Sequence, residues 1–216
     1  MSLTWEMNNW KYEQRCMKAV EALNKKGFTA VYCADSGKAV DYILKESGEA
    51  VTIGFGGSMS VTGLQLGDKL KEMGKQLLNH GVADLSQEER LEIMRRQLNC
   101  DLFLTGTNAL TLTGCLVNTD GAGNRVAAMI FGPRKVIVVA GRNKLVSDTE
   151  GALHRIKDYA APPNAKRLKC NTPCAVTGFC ADCSSPDRIC RITSVIEYKP
   201  RFTDIHVLVV NEDLGF

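Results

Sequence analysis

"CDLFLTGTNALTLTGCLVNTDGAGNRVAAMIFGPRKVIVVAG", residues 100–141, begins and ends with a near-continuous apolar run and is polar between them. "CDLFLTGT" and "KVIVVAG" read as strands covered on both faces, because a strand with one wet face would alternate apolar and polar side chains. The same grammar extends outward. "TAVYCA" and "AVTIGFGG" are short apolar strands before it, and "DIHVLVVNED" is one after it. Helical periodicity lies between them: Trp10, Met17, Val20 and Leu23 over residues 6–26, with Gly27 as a stop, then Val40, Ile43 and Leu44 behind Ser36 as a cap. Val61, Leu64, Leu70 and Met73 mark the next helix. Ser86 with Glu89, and Ser147 with Glu150, are capping boxes opening helices with Leu91, Met94 and Leu98, and with Leu153 and Ile156. Alternating helix and strand through the first 160 residues predicts an α/β fold on a mostly parallel sheet.

Composition bounds the function. The 216 residues are 44% apolar and 24% charged with a net charge of +3, ordinary for a globular chain and not the basic footprint of a nucleic-acid binder. No apolar run is long enough to span a membrane. The charged start "MSLTWEMNNWKYEQRC" lacks a signal-peptide core, so the expected compartment is the cytoplasm, where clustered thiols serve more often as ligands or catalysts than as disulfides.

Three stretches carry candidate chemistry. "GFGGSMS", residues 54–60, sits at a strand-to-helix junction, where glycines admit close backbone approach and a helix start offers free N–H groups. Gly56, Gly57, Ser58 and Ser60 are therefore candidate contacts for a phosphate or carboxylate, weighed against an ordinary turn with a serine cap. Between residues 105 and 134 the helix–strand alternation fails, and the segment reads as short strands and tight turns. There Thr107, Asn108, Asn118, Asn124 and Arg125 suit hydroxyl and carboxylate recognition. Asp120 is the candidate acid–base residue of a region without His or Glu, weighed against plain turn chemistry.

The third stretch is "CNTPCAVTGFCADCSSPDRIC", residues 170–190, with spacing C-x3-C-x5-C-x2-C-x6-C. Cys180 and Cys183 form a C-x2-C pair, and Cys174 and Cys190 complete a thiolate-only set for zinc or an iron–sulfur cluster, with Cys170 in reserve. Cys16, Cys33, Cys100 and Cys115 read as buried packing residues. His80, His154 and His206 read as structural or solvated. Arg142 and Lys144, at a strand end, are placed to meet an anion, weighed against the favoured reading of a solvated surface pair.

"IGFGGSMSVTGL", the stretch from "LTGTNALTLTG" through "VIVVAGRNKLV", and "VLVVNEDLGF" together resemble the lactate-utilization (LUD) domain family over most of the chain. "TPCAVTGFCADCSSPDRIC" looks like a feature of a cysteine-bearing branch. The resemblance implies a Rossmann-like three-layer α/β sandwich, similar to CoA transferases, ribose-5-phosphate isomerase and formyltetrahydrofolate cyclo-ligase. It implies one such domain over residues 1–216 with a cysteine-rich insertion at 168–192. It further implies a protein of organic-acid oxidation, L-lactate to pyruvate, that binds a small anionic metabolite and works with iron–sulfur partner subunits; a homodimer is the default expectation for an α/β domain of this size. Two alternatives stand beside it: a self-sufficient isomerase, ligase or transferase acting on a phosphosugar, folate or acyl-CoA, and a non-catalytic ligand-binding module. CoA transferases use a glutamate nucleophile, and the corresponding loop "TGTNALTLTG" holds none.

Overall fold

The computed structural model describes residues 2–216. Its centre is a parallel sheet of six strands, in the spatial order β1 (Thr29–Cys33), β10 (Asp204–Val210), β7 (Lys135–Gly141), β4 (Leu102–Gly106), β2 (Thr52–Phe55) and β3 (Gln76–Asn79). The middle strands are buried on both faces, as their unbroken apolar runs require. Alternate residues feed two cores. Phe103, Val136, Val138, Val207 and Val209 pack toward α1 (Leu3–Lys25), while Leu104, Ile137, Val139 and Leu208 pack toward α2 (Ser36–Glu46). Helices on both faces make this a Rossmann-like three-layer sandwich.

Several local readings need correction. The α1 face against the sheet is Cys16, Ala19 and Leu23, while Trp10 is 57% exposed and Met17 is also exposed. Small side chains let the helix approach the sheet, so the bulky residues face away. The second helix is capped by Asp35, which accepts from Lys38 N–H, rather than by Ser36; likewise α7 (Thr149–Arg155) is capped by Asp148, not Ser147. In both places the carboxylate reaches the third N–H, the stronger charge-assisted cap. The single helix expected after the glycines is two short ones, α3 (Met59–Thr62) and α4 (Gly67–Glu72), separated at Gln65, whose φ of 51° is left-handed. The Ser86–Glu89 box is present at the head of α5 (Gln87–Gln97), but that helix buries Gln97 and exposes Leu91.

The polar stretch 105–134 builds part of a second sheet, ordered β8 (Leu145–Val146), β5 (Ala109–Thr111), β6 (Leu116–Asp120) and β9 (Ile192–Ile196). It also holds a helix the turn-rich reading missed, α6 (Asn124–Ile130). The cysteine segment lies between α8 (Ala161–Arg167) and β9, and carries one short helix, α9 (Pro173–Thr177). Among the described residues no helix is long and apolar enough to cross a membrane.

Phe103 is fully buried in the central strand β4. Phe103→Ala should cost about 3–5 kcal/mol of stability, read as a lower urea midpoint at unchanged slope.

Candidate functional site

Parallel sheets gather their strand tips at one edge, and ligands bind where neighbouring connections diverge. Here the chain passes from β2 outward to β3, then returns to β4 and proceeds through β7 toward β10. At the tips of β2 and β4 opens a cavity of about 540 Å³. Gly56, Gly57 and Ser58 line it from one side, and Thr107, Asn108, Asp120, Asn124 and Arg125 from the other, so the two stretches singled out in sequence share one hollow. Ser60 and Asn118 stand behind the wall, each fully buried.

Close approach depends on glycine at two points. A Cβ on Gly106 would lie 2.5 Å from Ser58 Oγ, and Gly57 holds a φ of +70°. Ser58 caps α3, accepting from Val61 N–H. That helix is a single turn of four residues, so its dipole adds little at this loop.

Arg125 organises the far wall. Its Nε and Nη2 donate to Asp120 Oδ1 at 2.9 and 2.5 Å, Nη1 donates to Gly106 O and Asn118 Oδ1, and Nη2 also reaches Asn108 Oδ1. All five guanidinium hydrogens thus have acceptors within the protein. The other carboxylate oxygen of Asp120 accepts Val126 N–H. Asp120, expected as the acid–base residue, and Arg125, expected as a ligand contact, therefore spend their strongest interactions on each other and on the loop. Asn108 uses its amide oxygen twice, accepting Thr119 N–H and Arg125, which leaves its amide hydrogens facing the hollow.

Sequence reading missed three contributors to this cavity, His80, Arg90 and Arg167, and set aside a fourth, Lys144, as solvated rather than an anion contact. Lys144, expected on the surface, is 4% exposed. It follows β7 in a 3-10 turn, Arg142–Lys144, which rolls it inward, and its Nζ donates to Ser60 Oγ at 2.8 Å and Thr107 O at 3.0 Å. Burial, and then the positive charges of Arg155 and Arg125, bring its pKa down to about 7. Arg142 is partly buried, stacked on Tyr12 and bonded to Asp213. His80 lies beside Gly57. The Gln97 amide nitrogen faces the carbonyls of Phe55 and Leu78 as well as His80 Nδ1. That nitrogen can only donate, so Nδ1 accepts and the ring proton sits on Nε2. Burial lowers the pKa of His80 and favours that neutral form. Arg90 has two hydrogen bonds to backbone carbonyls and Arg167 one acceptor, Asn164 Oδ1, so both keep N–H groups in reserve. The wall carries four basic side chains and one acidic side chain, Asp120, which is already paired with Arg125.

All nine cysteines are free thiols, and Cys16, Cys33, Cys100 and Cys115 are buried. Cys174, Cys180, Cys183 and Cys190 line one small cavity of about 100 Å³. Arg188 ties their loop together, donating to Cys183 O, Cys190 O and Asp182 Oδ1. As drawn, no three His, Cys, Asp or Glu side chains among the described residues stand at metal-ligating spacing. The donor set itself is thiolate only, which suits zinc or iron–sulfur. Thr119, Ile156, Ala161, Ile189 and Cys190 line both cavities, making one common wall.

A three-layer sheet with a cavity at its strand tips, walled by a strand-to-helix glycine loop, places the chain among Rossmann-like α/β proteins. The LUD domain model matches residues 16–210, and the chain belongs to the LUD domain family. A crystal structure of a DUF162 family protein from Deinococcus radiodurans, DUF162 being the former name of the LUD domain, is similar with a TM-score of 0.55. It is 14% identical, and the match covers 92% of this chain and 98% of that one, so what is shared is the fold. No curated protein matches the chain.

Two outcomes follow from the wall. Arg125→Met leaves Asp120 buried without its cation and should cost about 3–5 kcal/mol in denaturant unfolding, part of which Asp120→Asn in the same chain restores. Lys144 has a pKa of about 7 when folded and about 10.4 when unfolded. The unfolded chain keeps the proton between those values and the folded one does not, so stability rises with pH there, by up to about 1.4 kcal/mol per unit. Below pH 7 both states are charged and the cost of burying the cation is felt in full. Relative to Lys144→Met, unfolding free energies should show that slope from pH 7 to 10 and none below it.

Proposed function

We propose that this chain binds a small carboxylate- or phosphate-bearing metabolite in the larger cavity and serves organic-acid oxidation of the lactate-utilization type. The observation that carries the reading is the wall itself: unspent donors on Arg90, Arg167, His80 and Asn108 line one hollow whose acidic side chain, Asp120, is already paired with Arg125. The cytoplasmic expectation and the membership of the LUD family agree with it.

The reading extends to the cysteines. Cys174, Cys180, Cys183 and Cys190 would hold zinc or an iron–sulfur centre, Arg188 offsetting part of the thiolate charge. Burial, and then the neighbouring thiols, raise the pKa of Cys190, so binding a metal there would release its proton. A cluster would supply one-electron transfer beside the ligand, toward an iron–sulfur partner, because Cys190 stands in the wall common to both cavities.

Thermal melts with small carboxylates and inorganic phosphate test the first half. A ligand at a hundred times its dissociation constant should add about 2.7 kcal/mol, and Arg90→Ala should reduce the effect. No stabilisation by any of these anions would refute it. Anaerobic purification with metal analysis and visible absorption tests the second half. Bound zinc, or iron with thiolate-to-iron absorption, lost in Cys183→Ser, is the expected result; a metal-free protein refutes it.

A further inference from the structure

Anion binding leaves one side chain on the larger cavity's wall unexplained. A carboxylate or phosphate is served by guanidinium groups and N–H donors; it gains nothing from an amine desolvated until it sheds its proton. Lys144 is such an amine. Ser60 donates its hydroxyl hydrogen to Leu214 O at 3.0 Å, so toward Lys144 it can only accept, and Thr107 meets the amine with a carbonyl. A neutral amine has two hydrogens, and these two acceptors consume both. What remains is the lone pair. The residue lies on the wall of a cavity whose other donors await an anion.

We propose that Lys144 is a nucleophile that forms an imine with a 2-oxo carboxylate held in this cavity, an inference that rests on the anion-binding reading. The carboxylate takes the unspent donors, and the adjacent ketone presents its carbon to the amine. The lone pair forms the C–N bond while the carbonyl π pair moves to oxygen. One amine hydrogen transfers to that oxygen, giving a carbinolamine. Loss of the hydroxyl with the remaining amine hydrogen gives C=N and one water. No oxidant or reductant enters.

The surroundings favour this nucleophile over any surface lysine. The charges acting on it, Arg155 and Arg125, are both positive, and Asp120 is held by Arg125 rather than free to retain a proton on the amine. With a pKa of about 7, roughly half of Lys144 is neutral at pH 7, against about one in 2,500 for an exposed lysine.

The test treats the full chain with pyruvate and sodium cyanoborohydride at pH 7, maps the reduced secondary amine by peptide mass spectrometry, and records melting curves with pyruvate and with L-lactate, which lacks the ketone. The expected result is an adduct at Lys144, enriched about a hundredfold or more over any exposed lysine and absent from Lys144→Met, a variant that removes a costly buried amine and should melt cooperatively. Stabilisation by pyruvate without an adduct at Lys144 overturns the imine and leaves anion binding standing. Adducts spread over exposed lysines, equal in wild type and Lys144→Met, also overturn it. Neither stabilisation nor adduct overturns the imine, and failure of phosphate and L-lactate as well would take the anion reading with it.

Discussion

The guanidinium of Arg125 is the joint of this molecule. It takes Gly106 O from the end of the six-stranded sheet and Asn118 and Asp120 from β6 of the four-stranded sheet, and so fixes one against the other. A buried ion pair is weak support for stability, because two charges must leave water before they attract one another. This one is backed by hydrogen bonds to every guanidinium hydrogen. What it secures is position: the loop 106–108 has its carbonyls turned inward, and those carbonyls receive Arg125, Lys144 and Arg155. Three cations are seated by one short run of backbone. The loop is also tied to β6 by Thr107, which donates to Val117 O, and by Asn108, which accepts Thr119 N–H, so the ion pair acts within a wider set of bonds.

This arrangement explains what could be read in advance. The central strands were legible because burial on both faces leaves an unbroken apolar run, as in "KVIVVAG". Helix positions were legible, yet their faces less so. Large apolar residues on α1 suggested the buried stripe, but a helix lying on a sheet places Cys16 and Ala19 at the contact, and Trp10 stays outside. Gln97 shows the same limit from the other side. A glutamine at an inward position reads as surface until the carbonyls of Phe55 and Leu78 that require it are in place.

The site divides similarly. Glycines and short polar residues announce a loop that approaches something, so Gly56, Gly57, Asn108 and Asn124 were found from their types alone. Arg90 and Arg167 were not, and Lys144 was set aside as solvated, since a long cationic side chain normally is and only the tertiary arrangement turns it inward. Lys144 did carry a signal, its place just past the end of a buried parallel strand, where α/β folds collect ligands. His80 is brought in by β3, an edge strand too short and too weakly patterned to be read.

The buried amine also bears on how the two cavities relate. Moving a lysine pKa from 10.5 to about 7 corresponds to about 5 kcal/mol against the charged form, comparable to the whole stability margin of a small domain. A leucine or methionine there would avoid that cost, so the residue is held against the fold's own interest, as functional groups are. A second irregularity lies close by. Residues Ile156–Ala160 form a π-helical turn between α7 and α8, a widening that gives up regular helical bonding and recurs at functional sites. Ile156 at its start and Ala161 just after it belong to the wall common to the amine's cavity and the cysteine cavity. Two departures from regular structure thus bound the same space. The widened turn thus puts Ile156, with Ala161 just after it, in the wall shared by the cavities, so a thiolate centre and a bound organic acid would stand on opposite sides of that one wall.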